Sequence, residues 1–323
     1  LGAGMNEVTM DTGGNATSRM HDIPADLLAA LTRSPVKARL FGADNYFREA
    51  TWTFGDHIQD VLGIALCVLK PDAAVGRRYG VALQALREHG FTPVDVLRVR
   101  HNRLTIRETW RFQLNFADRH RIATMDLYLQ SLDCVLLVLR DERHRPGGVP
   151  GAVRLASLKG PATARLRRPE HLRERLGAIN GLFNFIHTTD EPLDVLRDLS
   201  VLLPPEDRER VLRRVCARHD AGPECEETFA AIEAVTEPHD LDIGNSWKRL
   251  SESDAPVGDL ARRQRTGERI SAVDLLAAAH HPDARRAEFW DLLTVLTDTV
   301  RFNVPDIERI YPNVLLEAWQ EAS

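Results

Sequence analysis

Residues 62–72 read LGIALCVLKPD, and the reading of this run decides the fold. From Leu62 to Leu69 there is no charged side chain, which suits a short strand buried on both sides. Lys70, Pro71 and Asp72 end it, because proline has no amide hydrogen to extend a ladder. Between Val75 and His89, apolar residues recur at Tyr79, Ala82, Leu83 and Leu86, with Gly90 just beyond. That is the spacing of one helix face followed by a helix stop. From Phe91 to Arg100 the pattern changes to Val94, Val96, Leu97 and Val99, a second strand.

Two helical stretches at 104–114 and 121–130 precede LDCVLLVL at 132–139, a third strand. RPGGVPG at 145–151 breaks the chain. A short helix at 152–159, an arginine-rich loop, an apolar strand at about 183–187 and an amphipathic helix at 191–203 follow. The order strand, helix, strand, strand, helix, strand is the split βαβ of an α+β, ferredoxin-like sandwich: one antiparallel sheet with helices on one face.

The flanks read differently. Residues 21–61 are helical or irregular, punctuated by Pro24 and Pro35. Residues 205–323 form a mostly helical extension, with segments at 205–219, 224–236, 270–280, 285–302 and 306–322. The polar stretch 238–268, interrupted by Gly244, Pro256 and Gly258, is expected to be a mobile connector. Three parts result: 1–61, 62–204 and 205–323.

At 323 residues the chain exceeds the usual single domain. It has no apolar run long enough to span a bilayer. The LGAG before Met5 reads as a cloning remnant, and residues 5–20 lack the charged start and apolar centre of a signal peptide, so a cytoplasmic protein is expected. Net charge of −5 argues against general nucleic-acid binding. Residues 139–175 are nevertheless basic, with ten Lys and Arg against four acids, and 219–242 hold eight acids and no Lys or Arg. The basic segment is the place to seek an anionic ligand, although on charge alone a solvated arginine-rich helix surface is the better reading.

Cys67 and Cys134 lie in apolar runs and read as small core residues. Cys216, His219 and Cys225, with His239 as a fourth group, give a partial zinc-like set whose spacing matches no standard finger. No resident metal is expected from it.

GLFNFIHTTD at 181–190 ends an apolar run on His187, with Asn184 three residues earlier. Together, CVLKPDA, the helix ending EHGF, the strand DCVLLVL, LRERLG and NFIHTTD resemble the nucleoside diphosphate kinase family over residues 62–203. That family carries a lysine in K-P-D and a histidine in N-x-[IV]-H-G-S-D. The resemblance implies a phosphotransferase that moves the γ-phosphoryl group of ATP or another nucleoside triphosphate, with Mg2+, through phospho-His187. The acceptor would be a nucleoside diphosphate or a less usual group, and a homo-oligomer would fit the family. An imidazole suits the role because its neutral form is nucleophilic near physiological pH.

The resemblance also assigns Lys70 to the phosphate and sugar, Arg173 to a phosphate clamp, Asn184 to the ribose and Asp198 to orienting the imidazole. On a regular strand Asn184 and His187 would face opposite sides, so Asn184 belongs in a loop or an irregular strand. Thr163, with Ala162 beside it, falls near the family's phosphate-contacting threonine, and Arg154 near its second arginine. Trp110 replaces the active-site tyrosine, Arg121 falls near the phenylalanine that stacks on the base, and Thr188 replaces the glycine beside the nucleophile.

Each residue has an ordinary structural alternative. Without the resemblance His187 reads as a strand-end histidine, with Thr189 or Asp190 capping a helix that Pro192 starts. Lys70 reads as a strand-end charge, Asn184 as a turn former and Asp198 as an acid on a wet helix face. Two functional classes follow: the phosphotransferase, preferred from sequence, and a catalytically impaired nucleotide-binding or regulatory module whose extension contacts partners.

Overall fold

The computed structural model describes residues 23–281, 288–313 and 316–321. The readings of residues 1–22, and of parts of the 285–302 and 306–322 segments, fall outside them. Four strands, β1 (Ile64–Leu69), β2 (Phe91–Val99), β3 (Cys134–Asp141) and β4 (Ile186–Thr188), form a sheet of order β2-β3-β1-β4 with every neighbouring pair antiparallel. The helix Tyr79–Glu88 carries the chain from β1 to β2, and β3 fills the gap between them. This is the α+β split βαβ arrangement.

All six residues of β1 are buried, and in β3 only Arg140 is half-buried. The centre of the sheet is therefore covered on both sides, which is what the uninterrupted apolar runs require. β4 is only three residues long. Phe185 enters it with φ +67°, a left-handed backbone that ends ladder pairing upstream.

Helix Pro192–Leu202 buries eight of its eleven residues. Leu193, Leu196 and Leu199 are fully buried, each worth about 1.5–3 kcal/mol of apolar transfer. Its N-cap, Glu191, is also fully buried. That carboxylate accepts from the Thr32 hydroxyl at 2.7 Å, the Arg33 amide at 2.9 Å, Lys37 Nζ at 3.1 Å and Trp319 Nε1 at 3.2 Å. One acid thus ties the N-terminal flank and the helix Leu316–Gln320 to the centre of the fold. The flank itself forms helices Ala25–Leu31, Pro35–Gly42 and Asn45–Phe54, which bury Phe41, Phe47 and Phe54.

After Leu202 the chain continues as helices Pro205–Cys216, Gly222–Ala234, Ile243–Ser251, Pro256–Arg265, Ala272–Ala279 and Phe289–Thr299. The expected connector at 238–268 is corrected: it holds two of these helices. Asp242 caps the first, accepting from Asn245 N at 2.7 Å, and Pro256 opens the second at a position where proline suits a helix. Gly258 does not break it. A β-carbon there would lie 2.0 Å from the Ser253 carbonyl oxygen, so the bare backbone permits a close approach. The expected helix at 306–322 is also shorter. Asp306 has φ +62°, and among the described residues only Leu316–Gln320 is helical there. No helix of the described residues is long and apolar enough to cross a membrane.

Candidate functional site

His187 pairs with Val68 across the β1–β4 ladder. Residues directly opposite share a sheet face, and Lys70, two positions past Val68 in extended backbone, continues on that face. The fold therefore brings the two sequence-distant candidates to one end of the sheet. Their polar ends turn to different partners.

His187 keeps 21% of its side chain exposed. Its Nε2 lies 3.8 Å from Asp198 Oδ2, an ion-pair separation too long for a hydrogen bond. Trp110 stands edge-on to the imidazole with ring centroids 5.1 Å apart, and His101 lies behind Trp110 at 5.7 Å. His187, Asp198 and Trp110 are thus one cluster. Asp198 reaches it from the helix Pro192–Leu202, which sets an acid eleven residues after the histidine. Burial, with a smaller effect from His187, pushes the His101 imidazole down from 6.5 to about 4.

Thr188 ends β4 and Thr189, just past it, is tied to β1. Leu66 N–H donates to Thr189 Oγ1 at 3.2 Å, and Thr189 N–H donates to the Leu66 carbonyl at 3.3 Å. Thr188 is buried and its hydroxyl has no hydrogen-bond partner. The cavity beside His187 is lined by Thr188, Asp190, Asp194, Asp198, Arg197 and Tyr311, among others, and has a volume of about 20 Å³. Arg197 is engaged elsewhere, donating to Asp44 Oδ2 at 3.1 Å and to the Glu108 carbonyl at 2.7 Å. Lys159 donates to Asp190 at 2.9 Å, and with burial opposing it that ammonium holds the Asp190 carboxyl down at about 2.

Lys70 is buried. Its Nζ donates to the Leu182 carbonyl at 2.7 Å and the Tyr128 hydroxyl at 3.1 Å, with Asp72 Oδ2 at 3.8 Å. Burial lowers its pKa to about 8 against the pull of Asp72. Arg173, whose charge adds to that lowering, is itself brought down to about 10 by burial. It donates to the Gly160 carbonyl at 2.9 Å. Asn184 sits in the loop before β4, in the irregular backbone that the parity of 184 and 187 demands. Its Nδ2 donates to the Gly181 carbonyl at 2.7 Å, while Oδ1 is buried without a partner.

Two candidates lie elsewhere. Arg154 donates through Nε to Asp141 at 2.6 Å and through Nη1 to the His89 carbonyl at 2.9 Å. Asp141 neighbours Arg140, which faces the first residue of β1, so Arg154 belongs to the end of the sheet opposite Lys70, about 20 Å away along the strand. Thr163 is exposed at the start of the turn Ala164–Leu166. Other arginines of the basic segment are also occupied: Arg175 pairs with Glu88 at 2.6 Å and Arg167 donates to the Ala178 carbonyl at 2.6 Å. These arginines of the basic segment are engaged with nearby protein oxygens.

Sequence reasoning missed Phe302. Its ring lies 4.3 Å from the Arg121 guanidinium carbon, and its carbonyl accepts from Arg121 Nη1 at 3.3 Å and Asp118 N at 3.2 Å. The same ring packs on Gly181, where a β-carbon would come within 2.3 Å. Nothing local in the sequence pairs residues 181 positions apart.

The space beside His187 is narrow for a nucleoside triphosphate with magnesium. A cavity of about 20 Å³ holds a single water, and the cationic groups nearby are already bonded to protein oxygens.

No protein-family model matches this chain, and no curated protein matches it significantly. Among solved structures it is similar to the nucleoside diphosphate kinase of Aquifex aeolicus, at 20% identity over 44% of this chain and 96% of that one, with a TM-score of 0.37. It is also similar to a halophilic nucleoside diphosphate kinase from Halobacterium salinarum in complex with CDP, at 17% identity over 44% of this chain and 88% of that one, TM-score 0.35.

Proposed function

We propose that the chain is a nucleoside diphosphate kinase-like module in which phosphoryl transfer is impaired, with the nucleotide cleft closed by its own C-terminal segment and the helical extension serving regulation or partner contact. The observation that carries this reading is the cavity of about 20 Å³ at His187, lined by Asp190, Asp194 and Asp198. That is room for about one water, so a polyphosphate would have to displace packed side chains to enter. Asp190 and Asp194 are paired with Lys159 and Lys37, which leaves Asp198 as the carboxylate opposing an incoming phosphoryl group. Phe302, seated between Arg121 and Gly181, supports the same reading at the position where the family resemblance puts the base.

One observation favours the transferase instead. Asp198 faces Nε2 of His187, and an acid on that nitrogen leaves Nδ1 as the one to attack. In that reading a bond forms from Nδ1 to the γ-phosphorus as the bond to the β,γ-bridging oxygen breaks. The nucleoside diphosphate leaves, and the phosphoryl group then passes to the acceptor.

Incubation of the full chain with γ-labelled ATP and Mg2+ separates the two. The impaired module leaves no acid-labile, base-stable label above the level of His187→Ala. Near-stoichiometric label that disappears in His187→Ala overturns it in favour of the transferase.

A further inference from the structure

The zinc-like set read from sequence does not assemble. Cys225 is fully buried, His219 is bonded to Glu224 at 3.0 Å, and His239 to Asp291 at 2.9 Å. Cys216, the last residue of the helix Pro205–Cys216, faces instead a part of the chain 159 positions away. Its Sγ lies 3.5 Å from Nδ1 of His57, and that nitrogen lies 3.3 Å from Asp60 Oδ2. The three donor atoms are all within 4.8 Å of one another.

We infer that His57, Asp60 and Cys216 form a surface site for a divalent transition metal of the zinc type. The edges carry the argument. A tetrahedral zinc ion with Zn–S of about 2.3 Å and Zn–N or Zn–O of about 2.0–2.1 Å spaces its ligand atoms about 3.3–3.6 Å apart. The nitrogen–sulfur and nitrogen–oxygen separations, 3.5 and 3.3 Å, already have those lengths. The remaining edge closes by rotation of Asp60, whose side chain is 48% exposed.

Local structure explains why the donors converge. His57 ends the turn Gly55–His57 and Asp60 lies in the following helix Ile58–Leu62, so a separation of three places both on one side of that turn. The helix Pro205–Cys216 then delivers its terminal thiol to the pair. A thiolate, a carboxylate and a neutral imidazole balance a dication, and the mixed soft and hard donor set favours zinc or cobalt over magnesium or calcium. His57 and Asp60 keep 42% and 48% of their side chains exposed, so a water can complete the coordination. Metal there would link the segment preceding β1 to the C-terminal extension.

Titration of the full chain with Co2+ tests this without reference to nucleotide chemistry. The expected result is a sulfur-to-cobalt charge-transfer band that saturates at one ion per chain, is displaced by Zn2+, survives in Cys225→Ser and is lost in Cys216→Ser. His57→Ala weakens binding at least about tenfold, and circular dichroism of both surface variants reports an intact fold. Absence of the band at saturating Co2+, or its persistence in both Cys216→Ser and His57→Ala, overturns the assignment.

Discussion

Phe302 rests on Gly181 so closely that a β-carbon at residue 181 would lie 2.3 Å from the ring. The Arg121 guanidinium lies over the same ring at 4.3 Å. One aromatic side chain of the C-terminal segment thereby bridges the helix Arg119–Leu129 and the loop that holds Lys70 through the Leu182 carbonyl.

If that bridge closes the cleft, removing it releases the population held shut. Phe302→Ala should tighten binding of a fluorescent ATP analogue by roughly tenfold, since apparent affinity scales with the open fraction. A fluorescence titration comparing variant and parent chains reads this directly. Unchanged affinity removes Phe302 from any gating role.

The buried imidazole of His101 makes stability depend on pH. Its folded pKa of about 4 lies below the ordinary 6.5, so between those values the unfolded chain binds the proton that the folded chain refuses. Stability is therefore complete above pH 6.5 and falls as pH drops toward 4, by up to roughly 3 kcal/mol. Urea unfolding at pH 7 and pH 5 should show the loss, and His101→Gln should flatten it. An equal slope in both proteins assigns the effect elsewhere.

Glu191 receives four donors from distant parts of the chain. Replacement by Gln removes the charge that Lys37 faces in the interior and turns one acceptor into a donor. The cost should be about 3 kcal/mol, seen as a lower denaturant midpoint with the m-value retained. A loss below about 1 kcal/mol would show that Asp194 alone satisfies Lys37.

Asp95 docks the first extension helix to the sheet. It is buried in β2 and accepts from Arg210 and Arg214, each at 3.1 Å. Because both arginines are partly exposed, Asp95→Ala should cost less than a wholly interior pair, about 2 kcal/mol. Hydrogen exchange should speed first in Pro205–Cys216. Uniform exchange across the chain would sink this docking role.

The sheet was legible because its signal is local. Ile64–Leu69 and Cys134–Leu139 are apolar at every position, and burial on both faces is the arrangement that such runs can satisfy. The helix at 191–203 was legible from Pro192 and its apolar spacing. Gly244, Pro256 and Gly258 misled because the same residues that end helices also begin them or permit close packing, and only tertiary neighbours distinguish those uses.

At the candidate site, position along the chain identified which residues reach the end of the sheet: the His187 and Asp198 spacing, and Lys70 after β1. It did not specify where their polar ends point. The free energy of satisfying a buried ammonium selected Leu182 and Tyr128 for Lys70, and packing of the extension selected Phe302 for the surface of Gly181. By itself the sequence determined the succession of strands and helices along the chain and the chemistry available, because backbone periodicity and residue type are local properties. Only the tertiary structure decided how much space stands beside His187 and which donors surround Cys216, because both depend on contacts between segments more than a hundred residues apart.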